Sequence, residues 1–177
     1  VTAAAVVDAV CTFFGGPYVA ALHTYRTPTV AGVGVVRRAW AGREDFAEYT
    51  QGMPAGTATG CVIVVQNPDG VDGPRAALPA VQGRRKVSYD LELHCFFWSE
   101  ALYVEDCQDA VYALRDAIVA KIRTDPTLGT GGIETGNFQV GEGDGRITWH
   151  IEQGGQVDGT TKAYMVISFE AHAYEVG

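Results

Sequence analysis

The stretch from Lys86 to Leu128 constrains the fold more than any other, because a strictly alternating strand runs through a short turn into a long amphipathic helix. Val87, Tyr89, Leu91, Leu93, Cys95 and Phe97 fall on one side of the strand, and Ser88, Asp90, Glu92 and His94 on the other. That period of two is the pattern of a half-buried strand. Ser99 is placed to cap the helix, and Glu105, Asp106 and Asp109 put negative charge in its first turns, where the helix dipole favours it. Val104, Cys107, Val111, Leu114, Ile118 and Ile122 recur at steps of three and four, which makes a single apolar stripe. Lys121 and Arg123 suit the carboxyl end, and Asp125-Pro126 followed by Gly129 stops the helix. Burial of each stripe residue stabilises by roughly 1.5–3 kcal/mol before entropy, enough to fix the helix on a sheet.

The rest of the chain supplies more strands and one more helix. Residues 2–14 read as a helix with Val6, Val7, Val10, Phe13 and Phe14 on a broad apolar side, ended by Gly15-Gly16-Pro17. Val19–Tyr25 and Val30–Arg37 read as strands, Arg43–Tyr49 as a brief exposed helix or turn, and Cys61–Gln66 as a central strand. Asn67–Arg85 contains Pro68, Pro74 and Pro79 with three glycines and reads as a long loop of about residues 67–85, ending in the basic run Arg84-Arg85-Lys86. Glycines from Gly129 to Gly136, including Gly131 and Gly132, mark a second flexible passage. Gly143-Asp144-Gly145 reads as a hairpin turn between Phe138–Val140 and Ile147–Glu152. A last strand, Lys162–Tyr174, puts Ala163, Met165, Ile167, Phe169, Ala171 and Ala173 on one face. The expected architecture is α+β: a mainly antiparallel sheet with two helices packed on one face, residues 1–177 forming a single domain with one core.

Charge and cysteine usage narrow the function classes. A formal charge of −8 argues against affinity for a phosphate backbone, which needs clustered cations, yet it suits a passage through which DNA slides without sticking. Cys11, Cys61, Cys95 and Cys107 sit in apolar runs with no C-x-x-C or Cys–His spacing, so they read as buried reduced thiols. The first residues lack a basic region and carry Asp8, unlike a signal peptide, and no apolar run reaches the roughly 20 residues that cross a bilayer. A chain kept or assembled in a cytoplasm is expected.

Few residues look chemical. Gly141-Glu142-Gly143-Asp144-Gly145 superficially suggests a phosphate loop, but Ile147, Trp149 and Ile151 then alternate like a strand, and such a loop needs a helix amino terminus. His94, His150 and His172 lie on the non-core face of strands beside Glu92, Glu152 and Glu170. If the three strands are neighbours, these pairs could converge into a metal or acid–base site; otherwise they form a solvated polar face or one that a neighbouring subunit covers. Ser99 and Ser168 lack the context of a nucleophile. Arg84, Arg85 and Lys86 could touch nucleic acid or an acidic partner, or simply end a solvated loop. Trp40 and Tyr49 fit interface anchors as well as local packing.

In order and spacing these segments resemble the tail terminator (head–tail joining) proteins of long-tailed bacteriophages that infect actinobacteria. The resemblance rests on the N-terminal helix, on Arg38-Ala39-Trp40 to Phe46, and on Gly83-Arg84-Arg85-Lys86-Val87-Ser88-Tyr89-Asp90-Leu91. It continues in the helix ending Arg123-Thr124-Asp125-Pro126-Thr127-Leu128-Gly129, in Phe138-Gln139-Val140-Gly141-Glu142-Gly143, and in the closing strand. It implies a non-enzymatic virion protein of α+β fold, without cofactor or metal, that forms a hexameric ring. Such a ring caps the completed tail tube and docks to the head connector, with DNA passing through its lumen. The partners implied are further copies of the chain, the major tail tube protein and a connector or head-completion protein, with no membrane. Candidate interface residues are Pro74, Pro79, Arg84, Arg85, Lys86, Gly131, Gly132 and Asp144, from the segments that interrupt the compact plan. The alternatives are another neck protein, such as a head-completion component, or a small metal-dependent enzyme using the His/Glu face.

Overall fold

One sheet carries the molecule, and β5 lies inside it, paired on both sides. The computed structural model describes residues 2–40, 59–72, 84–100, 103–129, 139–140, 146–157 and 159–176. Among these, the strands are β1 (Tyr18–Val19), β2 (Thr24–Tyr25), β3 (Val33–Arg38), β4 (Thr59–Asp72), β5 (Arg84–Ser99), β6 (Gln139–Val140), β7 (Ile147–Val157) and β8 (Thr160–Val176). Their order across the sheet is β1-β2-β3-β4-β5-β8, with β6 and β7 lying end to end on the outer side of β8, so the sheet is seven strands wide. Every pairing is antiparallel except β3 with β4. A parallel pair needs a long crossover, and residues 39–58 lie between these two strands.

Helices α1 (Ala3–Gly15) and α2 (Val104–Thr124) pack on the same face of the sheet. α1 covers β2, β3 and β4, while α2 covers β5 and β8. The fold is therefore the expected α+β plan. Register explains the quality of the core, because large residues face small ones: Tyr89 opposes Ala171, Val87 opposes Ala173, and Phe97 opposes Ala163. All six are buried, as are Leu91, Leu93, Met165, Ile167 and Phe169. Filling a layer from alternating sizes lets α2 settle without voids. Gly15 brings the end of α1 close, since a Cβ there would meet the Cβ of Tyr25 at 2.5 Å and that of Val36 at 2.7 Å. Near this same end of α1, Lys121 Nζ from the last turn of α2 lies 4.3 Å from the ring centre of Phe13.

Several sequence expectations shift. Val19–Tyr25 is not one strand: Tyr18 pairs with Tyr25 in a tiny hairpin whose bend is a 3-10 turn, Ala20–Leu22, followed by His23 in the left-handed region. Ser99 does not cap α2. It continues β5, paired to both Thr59 and Thr161, and the helix begins at Val104 after Tyr103, which makes no side-chain cap bond. Val104 is 45% exposed and leaves the stripe, while Val119 joins it. The long loop is shortened at both ends. Residues 67–72 extend β4 past a register shift between Gln66 and Asp69, a bulge that accommodates Pro68, and residues 84–86 open β5. The hairpin lies elsewhere too: β6 and β7 both pair with β8 rather than with each other, and the paired turn is the one between Val157 and Thr160. Gly159 lies in it at a φ of +79°, the geometry glycine adopts without strain. Arg43–Tyr49 lies outside the described residues.

A second buried cluster was not anticipated by a one-core reading. Val35, Val62, Val64, Phe96 and Trp98 form it on the sheet face opposite the helices, with Ala39 and Tyr164 packed against it. Cys61–Val65 of β4 is thus buried on both faces, which is why that stretch is continuously apolar rather than alternating. The four cysteines are free and buried, and burial pushes the thiols of Cys11, Cys61 and Cys107 up. Among the described residues no helix is long and apolar enough to cross a membrane.

The end of α2 is a built stop. Asp125 accepts bonds from the Thr127 hydroxyl (2.6 Å), the Thr127 amide (3.0 Å) and the Gly129 amide (3.0 Å). These bonds, the Thr127 hydroxyl first, hold its carboxyl below the usual range. They fix the turn that drives fully buried Leu128 into the core with a φ of +50°. A depressed folded pKa contributes stability that is present above the unfolded value and is lost as the carboxyl protonates. Asp125→Ala is therefore expected to cost about 1–2 kcal/mol near neutral pH, and the difference from the parent protein should shrink on titration below about pH 4. Urea unfolding at several pH values measures this. Leu114→Ala, in the stripe, should cost about 2–5 kcal/mol, whereas Asp116→Ala, on the exposed side, should stay within about 0.5. The reverse ranking would mean that α2 presents another face to the sheet.

Candidate functional site

The helix-free face of the sheet carries the three histidines, and the strands that bear them are neighbours as the sequence reading required: β5, β8 and β7. They do not converge. His94 and His150 both stand opposite Val166 and so are two strands apart, about 10 Å. His172 is further along β8, opposite Ser88 and Gln139. Each histidine instead contacts the glutamate two residues away on its own strand. His94 Nε2 is 2.9 Å from Glu92, His150 Nε2 is 3.0 Å from Glu152, and His172 Nδ1 is 3.6 Å from Glu170. Among the described residues no group of three or more His, Cys, Asp or Glu side chains is placed to hold a metal ion.

His94 is the centre of a buried polar network. Its Nδ1 bonds the Tyr164 hydroxyl, and Gln66 donates from Nε2 to Glu92 at 2.9 Å while lying 2.6 Å from His94 Nε2. When His94 donates from Nε2 to Glu92 and accepts at Nδ1 from Tyr164, the Gln66 amide, itself a donor, finds its acceptor in Glu92 and not in the imidazole. Both ring nitrogens are then engaged, an arrangement that ties β4, β5 and β8 together. His172 is similarly enclosed, with Ser88 Oγ 3.0 Å from its Nδ1.

Two features that the sequence reading did not single out lie elsewhere. A polar cleft of about 520 Å³ opens beside α1, lined by Asp8, Thr12, Tyr18, His23, Tyr25 and Arg38. Arg38 grips both Asp8 oxygens at 3.0 Å, and the Tyr25 hydroxyl donates to Asp8 at 3.1 Å. Burial is the main cause that pushes the Tyr25 phenol up. Only Asp8, a lone carboxylate in an apolar helix, could have signalled it in the sequence. The second feature is a groove of about 530 Å³ between α2 and the sheet edge. Its walls are Val104, Gln108, Tyr112 and Arg115 from the helix and Trp149 from β7, with Thr161 and Lys162 at the start of β8. Arg115 lies between two rings, with its guanidinium carbon 5.3 Å from Tyr112 and 5.0 Å from Trp149. Asp116 Oδ1 holds its Nε at 2.9 Å and its terminal nitrogen at 2.7 Å. The spacing Gln108, Tyr112, Arg115 was legible as one helical stripe beside the apolar one.

Of the interface candidates, Arg84, Arg85 and Lys86 do not end a loop. They form the first residues of β5, paired to Val176, Glu175 and Tyr174 of β8. Pro74, Pro79, Gly131, Gly132 and Asp144 lie outside the described residues, as does Tyr49. Trp40 follows β3 and is 78% exposed. No model of a known protein family matches the chain, and no curated protein matches it in sequence.

The two kinds of histidine should behave differently. His94→Ala leaves Glu92, Gln66 and Tyr164 short of a partner in a buried setting and is expected to cost about 1–3 kcal/mol, whereas exposed His150→Ala should cost no more than about 0.5. Chemical denaturation of the two variants provides the comparison.

Proposed function

We propose that this chain is a structural virion protein of a long-tailed phage, one that closes the completed tail tube as a ring and joins the tail to the head connector. The observation that carries the reading is the agreement between two plans. The segments that resemble tail terminators come in the order helix, lead-in strand, long helix, short strand and closing strand. Those same segments build this α+β sheet, with both helices on one face. The Asp125–Gly129 stop adds weight, because a stretch quoted for the resemblance turns out to hold a specific turn.

The physical task fits such a protein. Ending a tube requires a ring that binds the growing end and offers no equivalent surface to the next tube ring. That is a heterologous contact made once and then blocked. The proposed ring consists of several copies of the chain, six by the resemblance, with the tube protein on one side and a connector or head-completion protein on the other. DNA would pass through the lumen without specific binding, which accords with a net charge of −8. Assembly would take place in the host cytoplasm, and the finished protein would reside in the neck of the virion.

Deleting the gene from its phage should leave DNA-filled heads without tails, together with tubes of uncontrolled length. Electron microscopy of the lysate reads this directly. Normal tails joined to heads would overturn the proposal, and normal-length free tails beside leaking heads would place the protein on the head side of the neck instead.

A further inference from the structure

We propose that the polar cleft beside α1 is a binding site for the neighbouring hydroxyls of an uncharged sugar ring, with Asp8, Arg38 and His23 as the polar contacts and Tyr18 as the apolar wall. The inference goes beyond the virion reading and does not rest on it, since it starts from the chemistry of the cleft alone.

The cleft is built before anything binds. α1 supplies Asp8 and Thr12, the β1–β2 hairpin supplies Tyr18, His23 and Tyr25, and β3 supplies Arg38. Asp8 accepts two bonds from Arg38 and one from Tyr25, so three elements are tied to a single carboxylate. His23 holds a φ of 49°, uncommon for a residue other than glycine, and its Nδ1 lies 3.1 Å from the Tyr18 hydroxyl. Side chains fixed in this way lose little freedom when a ligand arrives.

The groups that this network leaves unused decide the ligand. Arg38 engages Asp8 through one terminal nitrogen only, so among the described residues its Nε and its other terminal nitrogen keep N–H groups without a partner. When Tyr18 donates to His23 Nδ1, the Nε2–H of His23 is a further donor. Acceptors stand beside these donors. The Asp8 carboxylate keeps accepting capacity after three bonds, and the hydroxyls of Thr12 and Tyr25, which donate to the Asp8 carbonyl and carboxylate, keep their oxygen lone pairs. The Asp8 and Arg38 charges compensate each other. A carboxylate or phosphate only accepts and an ammonium only donates, so either meets half of the cleft with the wrong polarity. A hydroxyl does both, and two on adjacent carbons meet a donor and an acceptor together.

The remaining wall suits the C–H face of such a ring. Tyr18 is 50% exposed, and its ring lies 5.1 Å from that of buried Tyr25, so it is backed by the core while half of it stays in water. A pyranose laid on it removes apolar area of both partners from water. The volume of about 520 Å³ falls within the range of small-molecule sites, about 300–1,000 Å³.

The test is an amide-resolved NMR titration of the full-length chain with glucose, galactose and mannose and with their methyl glycosides, which stand for the end of a glycan. At least one should shift Asp8, Tyr18, His23 and Arg38 with a dissociation constant of about 1 mM. A tighter glycoside supports the proposal with a glycan end as the source, and a tighter free sugar supports it with a soluble one. Acetate and methylammonium should bind about tenfold more weakly or not at all. Arg38→Lys, which keeps the charge and removes the planar fork, and Tyr18→Ala should each weaken binding about tenfold or more. Tyr18→Phe keeps the wall, releases His23 and should weaken it about threefold. Half-exposed Tyr18 decides the matter if Arg38→Lys disturbs the rest of the spectrum. No shift at these residues by about 20 mM sugar, or shifts that map elsewhere, would overturn the proposal. So would acetate or methylammonium binding as tightly as the sugars, or Tyr18→Ala binding like the parent.

Discussion

The structure depends on the register of β5. β4 pairs with it from Val87 to Ser99, and β8 pairs with it from Arg84 to Ser99, so its central residues are bonded on both sides. Side chains alternate between faces with a period of two, so a shift of one residue against either neighbour would turn Ser88, Asp90, Glu92 and His94 toward the helices. The buried face would then hold two carboxylates without partners, at a cost larger than the net stability of an ordinary domain can absorb. The complementary sizes of Tyr89 with Ala171 and Phe97 with Ala163 add a steric reason why only one register packs. From that fixed ladder the positions of α2, β7 and the His94 network all follow.

The two faces of the sheet solve different problems. On the helix side, α1 and α2 bury an uninterrupted apolar layer. On the other side the surface changes character along the strands. Near Phe96 and Trp98 it is apolar and buried, and Tyr164 lies between the two regimes, 5.2 Å from the Phe96 ring and hydrogen-bonded to His94. Below it stand Glu92, Gln66, Ser88 and His172, each with a hydrogen-bond partner. A polar network closed on itself in this way specifies how β4, β5 and β8 align and offers little to an external ligand. That is why the histidine face, the most chemical-looking part of the sequence, reads as architecture in three dimensions.

A groove arises where coverage stops. α2 lies over β5 and β8, one strand short of the edge, and this leaves β7 open beside the helix wall. A groove at that place needs no special motif; it follows from a sheet wider than the helix layer that covers it. The proposed role in the phage neck asks for such margins rather than for a catalytic cluster.

By itself the sequence determined the elements whose periodicity is strong: α1, the alternating face of β5, the stripe of α2, and the closing strand, with the two helices on one side of an antiparallel sheet. Local pattern sufficed there because each element buries one face and local chemistry agrees with it. The hairpin was misplaced, at the glycine-rich run Gly143-Asp144-Gly145 instead of the turn between Val157 and Thr160. Only the tertiary structure decided what depends on partners distant in the chain. The parallel pairing of β3 with β4 leaves no local trace, and Ser99 remains strand because two neighbours bond it, although its chemistry suits a helix cap. The extension of β4 through Pro68 depends on β5 opposite, which tolerates a bulge at that point. Whether three histidines meet is a question of register, and the groove is a question of how far one layer overhangs another. Neither is written in the spacing of residues, because spacing describes a strand or helix alone, and both arise from the distance between strands.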